Sequence, residues 1–159
     1  MKIQTISTLL IFGLAVLFSG CGEDEVTTLN TIDSNRTAII TGKAYATTNA
    51  TLPPGTLQFA PAGTKLVVTI DSKQFAKVVV AGRTYELLSF PTTVSSDGSY
   101  SVTVPALSKT ITATVIGTDF KAVYVASATT SREEYYSFAP ISVTYFEGLT
   151  TLQDIAYDF

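Results

Sequence analysis

The sequence predicts an all-β domain, a single antiparallel β-sandwich of about seven to eight strands. Two observations support this prediction: apolar and polar residues alternate in short stretches, and turn-forming residues separate those stretches at short intervals. In addition, no long window repeats apolar residues at the 3.6-residue period of an α-helix. Alternation of this kind gives each strand one buried and one wet face, which is typical of antiparallel sheets.

Five stretches show the alternation most clearly, because residues two apart lie on one face of a strand. The predicted inward-facing residues are Leu66, Val68 and Ile70; Tyr100, Val102 and Val104; Ile111, Ala113 and Val115; Ile141, Val143 and Tyr145; and Ile155, Tyr157 and Phe159. Three further strands are predicted over residues 38–46, 78–88 and 122–128, and one helical turn over residues 71–77.

The dipeptide Asp97-Gly98 is the sharpest turn signal in the chain. A tight turn between strands needs a positive φ, which glycine adopts without the steric clash of a Cβ atom. We therefore predict a tight turn between residues 90–94 and 99–104, with Gly98 at positive φ and Tyr100 facing the core.

The first twenty residues predict a lipoprotein signal peptide. Lys2 supplies a positive charge, and the apolar run over residues 9–18 is shorter than the roughly 20 residues that a membrane-spanning helix needs. The run leads into Phe18-Ser19-Gly20-Cys21, which resembles the lipobox of bacterial lipoproteins, with phenylalanine in place of the usual leucine. The resemblance implies cleavage before Cys21 and lipidation of its thiol; an ordinary secretory signal with a chance cysteine is the alternative.

Residues 21–36 are then expected to form the lipidated cysteine and a polar tether, and residues 37–159 the β-sandwich. The tether begins with Glu23, Asp24 and Glu25, and this acidic triplet resembles the surface-export signal of Bacteroidetes lipoproteins. The resemblance implies a protein anchored in the outer membrane and facing the cell exterior. A solvated acidic start to a linker is the alternative interpretation.

Two stretches of the domain resemble the carboxypeptidase-regulatory, or transthyretin-like (prealbumin-like), β-sandwich modules. They are residues 61–68 (PAGTKLVV) and 96–105 (SDGSYSVTVP). The resemblance covers roughly residues 37–125 and implies the architecture of those modules. It implies no catalytic group, because the matched residues are turn and core residues.

The composition excludes several kinds of chemistry. The chain has no histidine and one cysteine, so we expect no histidine-dependent catalysis, no zinc site and no cofactor. Nucleic acid is not an expected partner either, because ten Lys and Arg residues stand against thirteen Asp and Glu residues without a basic patch.

The carboxylates offer little more. Glu133-Glu134 is predicted to lie in a solvated loop, since adjacent carboxylates on a strand would point to opposite faces. Asp97 and Asp119 are predicted to cap their own turns rather than to bind Ca²⁺.

Aromatic residues concentrate near the C-terminus, and three of them are candidates for contact with a ligand or partner. Tyr135 and Tyr136 lie in a polar stretch, and Phe146 alternates out of phase with the inward-facing Tyr145. Exposed aromatic side chains stack on sugars or anchor partner proteins. Packing at the edge of the domain under a long loop is the alternative interpretation.

These observations predict a membrane-anchored, surface-exposed lipoprotein that acts as a non-enzymatic structural, adhesive or partner-binding module. Its partners would be the membrane through the lipid anchor, and another surface protein or a glycan. A glycan-binding accessory lipoprotein of a polysaccharide-uptake system is the alternative, and a hydrolase that uses carboxylates is a third.

Overall fold

The computed structural model describes residues 32–159, which fold into two packed β-sheets and a β-hairpin. The strands are β1 (Thr37–Ala46), β2 (Lys65–Asp71), β3 (Leu87–Thr93), β4 (Ser99–Pro105), β5 (Ile111–Gly117), β6 (Phe120–Ser127), β7 (Thr130–Tyr136), β8 (Ile141–Tyr145), β9 (Thr150–Leu152) and β10 (Ile155–Tyr157). A 3₁₀ turn (Ser72–Phe75) follows β2, where one helical turn is predicted. Among these described residues, no helix is long and apolar enough to cross a membrane.

The first sheet is built around β1. This strand pairs antiparallel with β4 on one side and parallel with the short strands β9 and β10 on the other. The second sheet has the order β3-β2-β5-β8, and its neighbouring strands are antiparallel. Strands β6 and β7 form the hairpin as a third, two-stranded sheet.

The core lies between the two large sheets and consists largely of the predicted inward-facing residues. Leu66, Val68 and Ile70 on β2 are at most 2% exposed, and the predicted residues of β4 and β5 are also buried. At the C-terminus the pattern fails for Phe159, which is 54% exposed because β10 ends at Tyr157.

The prediction of an all-β sandwich is confirmed, and the structure adds detail to it. The strands number ten in the described part of the chain, because the two three-residue strands β9 and β10 join the first sheet beside β1. Their parallel pairing makes that sheet mixed rather than purely antiparallel.

Two loop and strand predictions are wrong. Most of the strand predicted over residues 78–88 is a loop, because β3 begins only at Leu87, opposite Asp71, where its partner β2 ends. Conversely, Glu133 and Glu134 lie in strand β7 instead of a solvated loop, where Glu133 is paired with Val123.

The Asp97-Gly98 turn forms as predicted, with Gly98 at φ 79°. Its backbone N–H donates to the Ser95 carbonyl at 3.0 Å. The flanking strands β3 and β4 pair in different sheets, however, so this turn carries the chain from one sheet to the other. A Cβ atom at Gly98 would lie 2.3 Å from ring carbons of Phe59, so the position also needs glycine for space.

The sandwich has two distinct ends. At the first, called here the proximal end, the chain enters β1 at Thr37, which is paired with Pro105 at the end of β4. The Tyr145 hydroxyl donates to the Pro105 carbonyl at 2.8 Å, which places the end of β8 there as well. At the opposite end, called the hairpin end, β5 leaves the sandwich and leads into β6.

Candidate functional site

An aromatic cluster holds the β6–β7 hairpin against the sandwich. Phe120 stacks on Tyr136 with ring centroids 5.2 Å apart and an interplanar angle of 6°. The rings of Phe120 and Phe138 each lie 4.9 Å from the ring of Tyr157 on β10. Each such pair contributes about 0.5–1.5 kcal/mol beyond its buried area. These contacts hold the inner face of the hairpin against the sandwich, so its opposite face points outward.

Tyr136 belongs to this cluster and is fully buried, with an exposed fraction of 0%. Its hydroxyl donates to the Thr47 carbonyl at 2.9 Å, and burial raises the pKa of its phenol. The prediction that Tyr136 contacts a ligand or partner is therefore wrong. It faces inward because Tyr135 and Tyr136 are neighbours on a strand, so their side chains point to opposite faces.

Tyr135 lies on the opposite, outer face of the hairpin and is 66% exposed. Its cross-strand partner is Lys121, whose ammonium nitrogen lies 4.6 Å from the centroid of the tyrosine ring. The next pair on the same face is Val123, 55% exposed, opposite Glu133. We call these four residues the hairpin outer face; they combine an aromatic ring, an aliphatic group and both charges.

Phe146 lies at the proximal end, just after β8, and is 40% exposed. It lines a cavity of about 190 Å³ together with Leu149, which directly precedes β9, and Thr151 on β9. Tyr135 lies beyond the far end of β5, a strand of seven residues or about 20 Å. The structure thus separates Phe146 from Tyr135, and the three predicted contact residues do not form one platform.

The carboxylates form no acid–base pair at the hairpin. Glu133 lies on the outer face, while Glu134 points to the other side and forms an ion pair with Arg132. Asp97 caps its own turn as predicted, accepting from the Ser99 backbone N–H at 3.1 Å and its hydroxyl at 2.5 Å. Those bonds, and one from Lys43, hold the pKa of Asp97 well below its usual range.

No three His, Cys, Asp or Glu side chains within residues 32–159 come close enough together to hold a metal ion. The predicted lipidation site, Cys21, and the predicted export signal, Glu23, Asp24 and Glu25, lie outside the described residues. Their assignments therefore stay predictions.

Sequence reasoning missed an apolar groove of about 390 Å³ between β3 and β4 at the proximal end. Leu88 and Phe90 on the inner face of β3 line one side, and Val104 and Pro105 line the other. Ile32, the first described residue, also lines it. The alternation of β3 shows which side chains face inward. Pro91 within β3 is the signal in the sequence that indicates an edge strand, because proline has no N–H to donate to a neighbouring strand.

No protein-family model matches the chain, and a comparison with curated proteins finds no match.

Proposed function

We propose that this protein is a lipid-anchored, surface-exposed lipoprotein that binds a partner protein without catalysis, through the hairpin outer face. The observation that carries the proposal is the position of Tyr135. It is 66% exposed at the hairpin end, while the chain enters the sandwich at the proximal end. An anchor at Cys21 would therefore attach the domain to the membrane at the end opposite the hairpin.

The composition of the hairpin outer face supports a protein partner. Tyrosine is enriched among the residues that dominate binding energy, because it adds apolar area and one polar group with few rotatable bonds. Lys121 and Glu133 flank it with opposite charges, which set the orientation of a partner more than its affinity. The aromatic cluster behind the hairpin already holds it in place, so binding would cost less conformational entropy.

A non-catalytic role is supported by the state of the carboxylates. Among residues 32–159, Asp97, Glu134 and Glu147 each form an ion pair with a Lys or Arg side chain. An acid–base pair would need two carboxylates facing one substrate, and neither Glu133 nor Glu134 faces the other.

The resemblance to carboxypeptidase-regulatory and transthyretin-like modules belongs to the same proposal. Its two motifs lead into β2 and β4, one in each sheet. This placement supports an architectural role for both motifs. The proposed binding function then depends on exposed residues outside them.

Glycan binding is the competing function, since Tyr135 with Lys121 over its ring could stack on a sugar. A stacking platform of three aromatic residues would have favoured it, but Tyr136 is buried and Phe146 lies at the other end. The proposal therefore gives precedence to a protein partner.

A photo-crosslinking amino acid at position 135 tests the proposal on intact cells. We expect a covalent adduct of defined mass with one protein, and we expect Lys121→Glu with Glu133→Lys to abolish it. The matched control is the same amino acid at Ser89, an exposed position of β3. Equal adducts at both positions, or binding of the purified protein to glycan arrays that Tyr135→Ala removes, would overturn the protein-partner assignment.

A further inference from the structure

The loop between the 3₁₀ turn and β3, residues 76–86, exposes three consecutive valines. Val78, Val79 and Val80 are 67%, 52% and 42% exposed. The loop has an ordered turn, because the Arg83 N–H donates to the Val80 carbonyl at 3.4 Å and the Val80 N–H donates to the Tyr85 hydroxyl at 3.0 Å. We call residues 76–86 the valine loop.

This exposure needs an explanation. Isolated apolar residues on a protein surface are ordinary, but a contiguous apolar patch marks a surface that is covered in the functional state. Leu87, which follows the valine loop at the start of β3, is another exposed apolar side chain, at 63%. The patch is also unlike the hairpin outer face, where one valine stands among charged residues.

The charges around the valine loop show what kind of surface would cover it. Lys73, Lys77 and Arg83 lie in or just before the loop and outnumber its one acidic residue, Glu86, which directly precedes β3. Within the part of the chain that the structure describes, none of these three cations forms an ion pair. The full chain has a net charge of −3. A basic rim around an apolar tip in an acidic protein is complementary to an anionic lipid surface.

The valine loop also lies at the correct end of the molecule. It leads into Leu87 and Leu88 at the start of β3, and Leu88 lines the groove that Ile32 and Thr37 also line. The chain therefore reaches the sandwich beside this loop. Cys21 is eleven residues before Ile32. A fully extended chain of that length reaches at most about 40 Å.

We propose that the valine loop docks on the anionic bilayer that holds the lipid anchor. The three valines enter the boundary between headgroups and acyl chains, and Lys77 and Arg83 contact lipid phosphates at the rim. With the tether as a second attachment, the domain is oriented with its hairpin outer face away from the membrane. The location of the docking rests on the proposed anchor at Cys21, whereas the affinity of the loop for lipid does not.

A single tryptophan in the loop tests the docking, because the chain has no tryptophan of its own. Val79→Trp and the control Val123→Trp, at a position 55% exposed on the hairpin, are each incorporated as the mature protein into anionic vesicles with brominated acyl chains. We expect the fluorescence of Val79→Trp to shift to shorter wavelength and to be quenched by the bromines. The fluorescence of Val123→Trp should show neither effect.

The positive charges of the valine loop provide a second test of the docking. Lys77→Glu with Arg83→Glu should remove most of the quenching of Val79→Trp, and neutral vesicles should lower the quenching of Val79→Trp without these charge changes. Lys65→Glu with Lys121→Glu makes the same change of charge at the hairpin end and should leave the quenching unchanged. Equal quenching at positions 79 and 123 would overturn the proposal. So would a blue shift at position 79 that depends on protein concentration without bromine quenching, because a second copy would then cover the valines.

Mass spectrometry of the mature N-terminus shows whether Cys21 carries lipid. It therefore distinguishes a failure of the docking from a failure of the proposed anchor. Quenching at position 79 in a protein without lipid on Cys21 would overturn the anchor and support the docking. Lipid on Cys21 with no quenching at position 79 would overturn the docking and leave the anchor in place.

Discussion

The sandwich and the β6–β7 hairpin are held by different kinds of contact. Between the two large sheets the buried side chains are mainly aliphatic, as in β2 and β5. The hairpin is attached by aromatic rings and by backbone hydrogen bonds of Val125 with Thr48 and Ala50, and its outer face remains exposed. Because an isolated two-stranded hairpin is only marginally stable in water, these attachments keep it in place. Stability of the fold and presentation of the candidate contact face thus depend on separate groups of residues.

The largest expected effect is in the sandwich, at Tyr100. Its side chain is 2% exposed and its hydroxyl donates to the Gln153 carbonyl at 2.5 Å. Tyr100→Ala should lower the free energy of unfolding by about 3–5 kcal/mol, measured by denaturant unfolding. Ser99→Thr, which keeps the hydroxyl that donates to Asp97, is the control and should change it by less than about 0.5 kcal/mol. Equal damage from both changes would contradict the inward face of β4.

The next effect compares two glycines, both at positive φ: Gly98 at 79° and Gly82 at 77°. Valine at either position is strained by about 1 kcal/mol or more. Only at Gly98 would the added Cβ also meet the Phe59 ring, at 2.3 Å, whereas nothing lies within 4 Å at Gly82. Gly98→Val should therefore destabilise the protein by about 1–3 kcal/mol more than Gly82→Val. Equal melting temperatures of the two variants would mean that Phe59 moves away at little cost.

The next effect is local to the hairpin and is expected from Tyr136→Ala. It removes ring contacts with Phe120 and Phe159, each 5.2 Å between centroids, which contribute about 1–3 kcal/mol to hairpin attachment beyond the buried area of the ring. Amide hydrogen exchange should accelerate in β6 and β7 while β2 and β5 stay protected. Tyr135→Ala, on the exposed face, is the control. Equal loss of protection in both regions would show that hairpin and sandwich unfold as one unit.

The smallest effect is expected on the hairpin outer face itself. Val123→Thr changes an exposed side chain and should alter the free energy of unfolding by less than about 0.5 kcal/mol. The measurement is the same denaturant titration. A loss of more than about 1 kcal/mol would mean that this face contributes to the fold, and the distinction between the two regions would fail.

The sequence predicts the buried face of most strands, because alternation depends on local geometry alone. Leu66, Val68 and Ile70 are one such case, and Tyr100, Val102 and Val104 are another. Strand partners are set by distant segments, so the parallel pairing of β1 with β9 and β10 has no local signal. For the same reason the sequence places Asp97-Gly98 in a turn without showing that the turn connects two sheets.

The candidate site is predicted less completely, for two physical reasons. Val78, Val79 and Val80 favour a strand by their β-branched side chains, yet they lie in a loop because β2 ends at Asp71, opposite Leu87, and offers no partner to the residues before Leu87. Tyr136 follows polar residues in sequence, but a strand sends alternate side chains to opposite faces. Only Tyr135 of the three aromatic candidates is both exposed and on the hairpin.

The pairing of β1 with β9 and β10 has a consequence for how the protein folds. Lys43 on β1 donates its backbone N–H to Asp154, 111 residues later in the chain. A polypeptide that emerges N-terminus first cannot complete its first sheet until almost its whole length is free. Contacts of such long sequence separation slow folding, which in β-rich domains takes roughly milliseconds to seconds. During that interval the edge of β1 stays open, and a chaperone that covers it would prevent pairing between unfinished chains.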